Sequence, residues 1–106
     1  MKRFLFICSQ NKLRSPTAEQ VFSNYPNVET RSAGLNNDAI HPLSSEDLLW
    51  AECIFVMENV HKNKLQKKFK EFIRNQKIIV LNIPDEQDLM DPILVDELKR
   101  KVERYL

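Results

Sequence analysis

A chain of 106 residues supports one domain with a real but modest core. With 42% hydrophobic and 29% charged residues it has the composition of an ordinary folded domain, not of a disordered or fibrous chain. A net charge of +1, from 16 basic and 15 acidic residues, provides no strong field, so neither nucleic acid nor an anionic membrane is expected as a partner.

The first element is Phe4-Leu5-Phe6-Ile7, a continuous apolar run that reads as a buried strand. Preceded by Met1-Lys2-Arg3 it superficially suggests a signal peptide, but the apolar stretch is too short and Gln10-Asn11-Lys12 breaks it. No run approaches the roughly 18 residues needed to span a bilayer. The two cysteines, Cys8 and Cys53, are too few for a disulfide framework and fit a reducing cytoplasm. Ser15-Pro16 reads as a helix start, Ser15 as N-cap and Pro16 in the first helical position, with Glu19 near the positive end of the dipole.

Residues 8 to 14 therefore join the carboxyl end of a strand to the amino end of a helix. Backbone N–H groups in such a loop form an anion-binding nest. A thiol held by such donors ionises more readily than a free cysteine, whose pKa is roughly 8.5, so Cys8 is the expected nucleophile. Arg14 offers a planar fork that matches two phosphate oxygens. The phosphate-binding residues are expected to be Ser9, Gln10, Asn11, Lys12, Leu13, Arg14 and Ser15. The Ser15 hydroxyl is expected to donate to the Cys8 thiolate, a role that competes with capping. Asn11 is the natural residue for positive φ in a loop without glycine.

Further along, Val28 to Ser32 reads as a second strand closing at Ala33-Gly34, the only glycine. Residues 35–43 read as a loop. Ser44 with Asp47 resembles a capping box, opening a helix whose apolar side is Leu48, Leu49 and Ala51. Cys53 to Met57 is a third strand, and a helix from about Val60 to Ile73 carries Leu65, Phe69, Phe72 and Ile73 at helical spacing. The run Lys62, Lys64, Lys67, Lys68, Lys70 reads as a solvated helix face. Lys77 to Leu81 is the fourth strand. Asp91 caps a last helix that begins at Pro92, runs to about Arg104, and turns Ile93 or Leu94, Leu98, Val102 and Tyr105 inward.

This alternation predicts an α/β fold: a single three-layer domain over residues 1–106, with a four-stranded parallel sheet covered by helices on both faces. Ligands in such folds bind beyond the carboxyl ends of the strands, where Cys8, Gly34, Glu58-Asn59 and Asp85 fall. Expulsion of a leaving group needs an acid across the phosphate from Cys8. The loop Ile83-Pro84-Asp85-Glu86-Gln87-Asp88 supplies carboxylates, with Asp85 the first choice, Asp88 the second and Glu86 possible. Asp91 is assigned to capping. His41, before Pro42, reads as a surface histidine, and no Cys/His cluster has metal spacing, so neither metal nor cofactor is expected.

These residues resemble the low-molecular-weight protein tyrosine phosphatase family. Its nucleophile loop, Cys-x5-Arg-Ser-Pro, falls on Cys8, Arg14, Ser15 and Pro16, and its loop Asn on Asn11. Ala18-Glu19 and Val21-Phe22, Ser32-Ala33-Gly34 and Ile54-Phe55-Val56-Met57 continue the likeness, and the general-acid loop falls on Pro84-Asp85. The resemblance implies a phosphatase-like fold and a cysteine-dependent phosphomonoesterase working through a thiophosphate on Cys8. Its substrate would be phosphotyrosine in a phosphorylated protein, or a small phosphomonoester, with inorganic phosphate as product. The chain departs from the family in being shorter, mostly between Gly34 and Ser44, and in lacking the aromatic residues that flank the pocket. Leu13 stands where many members carry a second, protective Cys, which implies a nucleophile open to over-oxidation.

Three other readings compete. Thioredoxin-coupled arsenate reductases need two further cysteines, and only Cys53 is available. A phosphoryl carrier, like the B components of the sugar phosphotransferase system, has no use for the Arg14 clamp. A non-catalytic or weak phosphate-binding regulatory module would bind the anion without turning it over.

Overall fold

The computed structural model describes residues 1–106. The elements, in chain order, are β1 (Lys2–Cys8), α1 (Arg14–Ser23), β2 (Val28–Gly34), α2 (Ser45–Trp50), β3 (Cys53–Val56), α3 (Asn59–Lys68), β4 (Lys77–Val80) and α4 (Pro92–Val102), with 3₁₀ turns at Lys70–Phe72 and Glu103–Tyr105. All strand pairs are parallel, in the order β2-β1-β3-β4. The expected fold class is the observed one.

Alternation along β1 divides the core between the two faces of the sheet. Phe4, Phe6 and Cys8 point to the side packed by Phe22 of α1 and Leu94, Leu98 and Val102 of α4. Leu5 and Ile7 point to the side packed by Leu48 of α2 and Leu65 of α3. The rings of Phe6 and Phe22 stack at 5.7 Å, and those of Phe6 and Phe55 at 5.2 Å. The nucleophile candidate is thus the last inward position of the most heavily packed strand. The chain passes from β1 to β2 on one side and then returns past β1 to β3 on the other, so the strand order reverses at β1, beyond whose carboxyl end such folds bind ligands.

Several expectations are corrected. Helix α1 begins at Arg14, its N-cap is Leu13, no side chain caps it, and Pro16 stands in the third helical position. Glu19 is consequently past the first turn. Helix α3 stops at Lys68, because Phe69 adopts φ −123° and ψ 26°; Phe69, Phe72 and Ile73 pack from the following turn. Leu49 is exposed, and the apolar side of the second helix is Leu48 with Ala51 just beyond its end. Leu94, not Ile93, faces inward in α4. The Ser44–Asp47 capping box and the Asp91 cap, accepting from Ile93 N–H at 2.8 Å, form as expected.

Candidate functional site

The segment between β1 and α1 is held by its carbonyls. Those of Cys8, Ser9 and Gln10 accept from Leu35, Asn36 and Ile40 N–H, each at 3.0 Å. Because N–H and C=O of one peptide plane point opposite ways, the amides of Ser9, Gln10 and Asn11 are turned away from that loop. No backbone N–H from Ser9 to Ser15 donates to a protein acceptor. Such a run of unpaired donors at a strand-to-helix junction forms a concavity for an anion. The fit depends on Gly34, where a Cβ would lie 2.7 Å from Ser9 O and 2.5 Å from Ala39 Cβ. Asn11 takes the left-handed conformation, φ 55°.

Behind the loop, one polar chain leads to the sulfur. Asn11 Nδ2 donates to Ser15 Oγ (2.8 Å) and to Ser32 Oγ (2.9 Å), and Ser32 Oγ donates to Glu19 Oε1. Ser15 Oγ, which accepts from Asn11, lies 2.9 Å from Cys8 Sγ with its own proton free to point at the sulfur. The competition between capping and donation is resolved in favour of the thiol. Glu19 serves as the terminal acceptor of this chain.

Arg14 is buried, with 6% side-chain exposure. Its Nη1 donates to Glu58 Oε2 at 2.5 Å and to Ile83 O at 2.8 Å, which spends both of its protons. Nε and Nη2 make no hydrogen bond to the protein, leaving one edge of the fork for a bidentate ligand. The hydrogen bond from Arg14 holds the Glu58 carboxyl below the usual carboxylate range. Asp85 Oδ1 lies 3.9 Å from Arg14 Nε on a side chain that is 60% exposed. Its loop is tied down on either side: Ile83 N–H donates to Met57 O, and Met90 N–H donates to Thr17 Oγ1.

A cavity of about 130 Å³ is lined by Cys8, Ser9, Gln10, Lys12, Leu13, Arg14 and Asp85. Small-molecule sites are usually about 300–1,000 Å³, so this cavity suits a headgroup and not a whole ligand. The structure thus brings together Cys8, Arg14 and Asp85. The Asn11 and Ser15 side chains lie behind the loop, and only their amides are left for a ligand. Glu86 and Asp88 do not line the cavity.

Sequence reasoning placed Glu58 after a strand end without seeing it as the partner of Arg14, and gave His61 no role. His61 is 1% exposed. Its Nδ1 accepts from Glu58 N–H at 3.0 Å, so in the neutral ring Nε2 carries the proton and donates to Ser9 Oγ at 3.0 Å. The Glu58-x-x-His61 spacing, a reciprocal cap of α3, is the one sequence signal that points to it. Burial first, and Arg14 second, push His61 down to about 4 from an ordinary 6.5. Between those values the unfolded chain binds a proton that the folded chain does not. The stability given by the neutral ring is therefore complete above pH 6.5 and is lost as pH falls toward 4, by about 3 kcal/mol. Urea unfolding at pH 7.0 and 4.5 should show this loss, and His61→Gln should shrink the difference between the two. An unchanged difference would mean that other groups set the acid sensitivity.

No sequence-family profile matches the chain, and no curated protein sequence matches it. Solved structures do. The YwlE arginine phosphatase from Geobacillus stearothermophilus superposes with a TM-score of 0.73 at 24% identity, over 99% of this chain and 90% of that one. The tyrosine phosphatase Wzb from Escherichia coli K30, in complex with phosphate, gives 0.77 at 20%, over 98% and 95%. SP-PTP, the low molecular weight protein tyrosine phosphatase from Streptococcus pyogenes, gives 0.75 at 15%, over 100% and 94%. The fold is therefore that of the low-molecular-weight protein tyrosine phosphatases. No helix of this chain is long and apolar enough to cross a membrane.

Proposed function

We propose that the chain is a cysteine-dependent phosphomonoester hydrolase that works in the cytoplasm on phosphotyrosine in proteins. The observation that carries this reading is the conjunction, around one cavity, of unpaired amides from Ser9 to Ser15, the free edge of Arg14 and the Cys8 sulfur. A pure anion binder has no need of a thiol on the floor of its nest.

In this reading the phosphate oxygens take the loop amides together with Nε and Nη2 of Arg14. The Cys8 thiolate attacks phosphorus in line, a P–S bond forms, and the P–O bond to the leaving group breaks. Asp85 gives that oxygen a proton. Water then attacks the thiophosphate while the Asp85 carboxylate takes its proton, inorganic phosphate departs and the thiolate is restored with Ser15 donating to it. Charge that spreads over the equatorial oxygens meets fixed donors throughout.

Two of the named likenesses act on tyrosine phosphate and one on arginine phosphate by their names. Lys12 lines the cavity mouth, where its charge repels the guanidinium of phosphoarginine but not a neutral aryl ring. Leu13 offers the ring an apolar wall.

The test is hydrolysis of aryl phosphates by the purified protein and by Asp85→Asn. The variant is expected to lose about 10²–10³-fold in kcat on phenyl phosphate, and far less on 2,4-dinitrophenyl phosphate, whose leaving group needs no proton. Equal losses on both would remove Asp85 from the acid role and pass it to Asp88 or Glu86. No hydrolysis of either by the wild type would leave the chain a binding module.

A further inference from the structure

A second cleft, of about 440 Å³, lies beside the Cys8 loop. Its walls are Leu35 and Asn36 on one side and Lys64, Lys67 and Lys68 of α3 on the other. The two sites share a wall, because Leu35 and Asn36 are the residues whose N–H groups hold the Cys8 and Ser9 carbonyls. They also share a helix: His61, which donates to Ser9, stands one turn before Lys64.

The charge in this cleft is uncompensated. None of Lys62, Lys64, Lys67, Lys68 or Lys70 makes an ion pair, whereas Lys101, Arg3 and Arg100 all do. Lys68 Nζ donates to Leu35 O (3.4 Å) and Asn37 Oδ1 (3.1 Å), neutral acceptors that fix its position and leave its charge. Lys64 has like charges three and four residues on, at Lys67 and Lys68. Like charges at these spacings destabilise a helix, a repulsion that a bound anion would relieve.

We infer that this cleft holds acidic side chains of the substrate, so that the preferred substrate is a phosphorylated residue flanked by Glu or Asp in a polypeptide segment. The inference rests on the phosphatase reading for the first site. The 130 Å³ cavity by itself takes only the phosphate and the start of its leaving group, so selectivity has to come from the surface around it. Single-stranded nucleic acid is disfavoured because no aromatic side chain lines the cleft to stack a base. A lipid surface is disfavoured because Val60 is the only large apolar residue that α3 exposes, where membrane-lying helices present an apolar face.

The experiment compares phosphotyrosine peptides with flanking Glu residues, placed before or after the phosphorylated one, against Gln-flanked controls. Wild type is expected to favour one acidic series roughly tenfold in kcat/KM at low salt, and to lose most of that preference in 0.5 M NaCl, where screening is short-ranged. Lys64→Gln with Lys67→Gln should reduce the preference to about twofold and leave hydrolysis of p-nitrophenyl phosphate unchanged. Lys68 is kept, since it braces the loop. Thermal melting of this variant should be no lower than wild type, since like-charge repulsion is removed. Fluorescence anisotropy of an unphosphorylated hexaglutamate peptide reads the cleft without chemistry: salt-sensitive binding lost in the double variant supports the inference even if no phosphate ester is cleaved, which would instead sink the phosphatase reading. Equal use of acidic and neutral peptides overturns it. So does binding to phosphatidylserine vesicles without any peptide preference, which would assign the lysines to a lipid surface.

Discussion

Cys8→Ser is expected to lower hydrolysis of p-nitrophenyl phosphate by about 10⁴-fold or more while phosphate still binds. The reason lies in what surrounds the sulfur. Its one hydrogen-bond partner is the Ser15 hydroxyl at 2.9 Å, a group able to donate to a thiolate. A serine there would need a base to become a nucleophile, and the one group bonded to this position, the Ser15 hydroxyl, is not a base. His61 is the nearest candidate by chemistry, but its Nε2 is committed to Ser9 and its Nδ1 to the Glu58 amide. Serine is close to isosteric and keeps the contact with Ser15, so the loop should hold its shape. The amides and the free edge of Arg14 should then bind inorganic phosphate within a few-fold of wild type, measured by calorimetry. Turnover retained at a tenth of wild type or more would place the nucleophile elsewhere.

The fold and the site were unequally visible in the sequence, for physical reasons. Strand and helix alternation followed from short apolar runs such as Phe4–Ile7 and Ile78–Val80 separated by punctuating residues, all of it local. The positive φ of Asn11 was local too, since no glycine was available to take it. The error at Ser15 came from reading Ser15-Pro16 as a cap and first turn, whereas the helix starts one residue earlier, at Arg14. No side chain caps this helix start, and the Ser15 hydroxyl freed from capping is the one that reaches Cys8. The parts played by Glu58 and His61 were invisible for a different reason. Their roles exist only once β3 lies beside β1 and delivers the start of α3 next to Ser9 and Arg14, a juxtaposition set by strand order and not by any spacing within the chain.

Arg14→Lys carries the second large expected effect, a fall in kcat/KM of about 10³-fold with the charge conserved. Arg14 divides its donors: Nη1 is spent on Glu58 and Ile83, while Nε and Nη2 remain for the ligand. Lysine has one nitrogen for all of these duties. If its ammonium goes to Glu58, which stays ionised through this contact, the phosphate loses its clamp. If it goes to the phosphate, Ile83 O loses its donor and the loop that bears Asp85 loses one of its anchors. Either way, charge developing on two equatorial oxygens meets at most one donor. Overall stability should change modestly, because Glu58 is 40% exposed and water can replace its partner. Two measurements separate these outcomes: circular-dichroism melting, expected to shift little, and competitive inhibition by phosphate, expected to weaken. Activity within tenfold of wild type would show that one positive charge suffices, and that the geometry of the fork is not what the site uses.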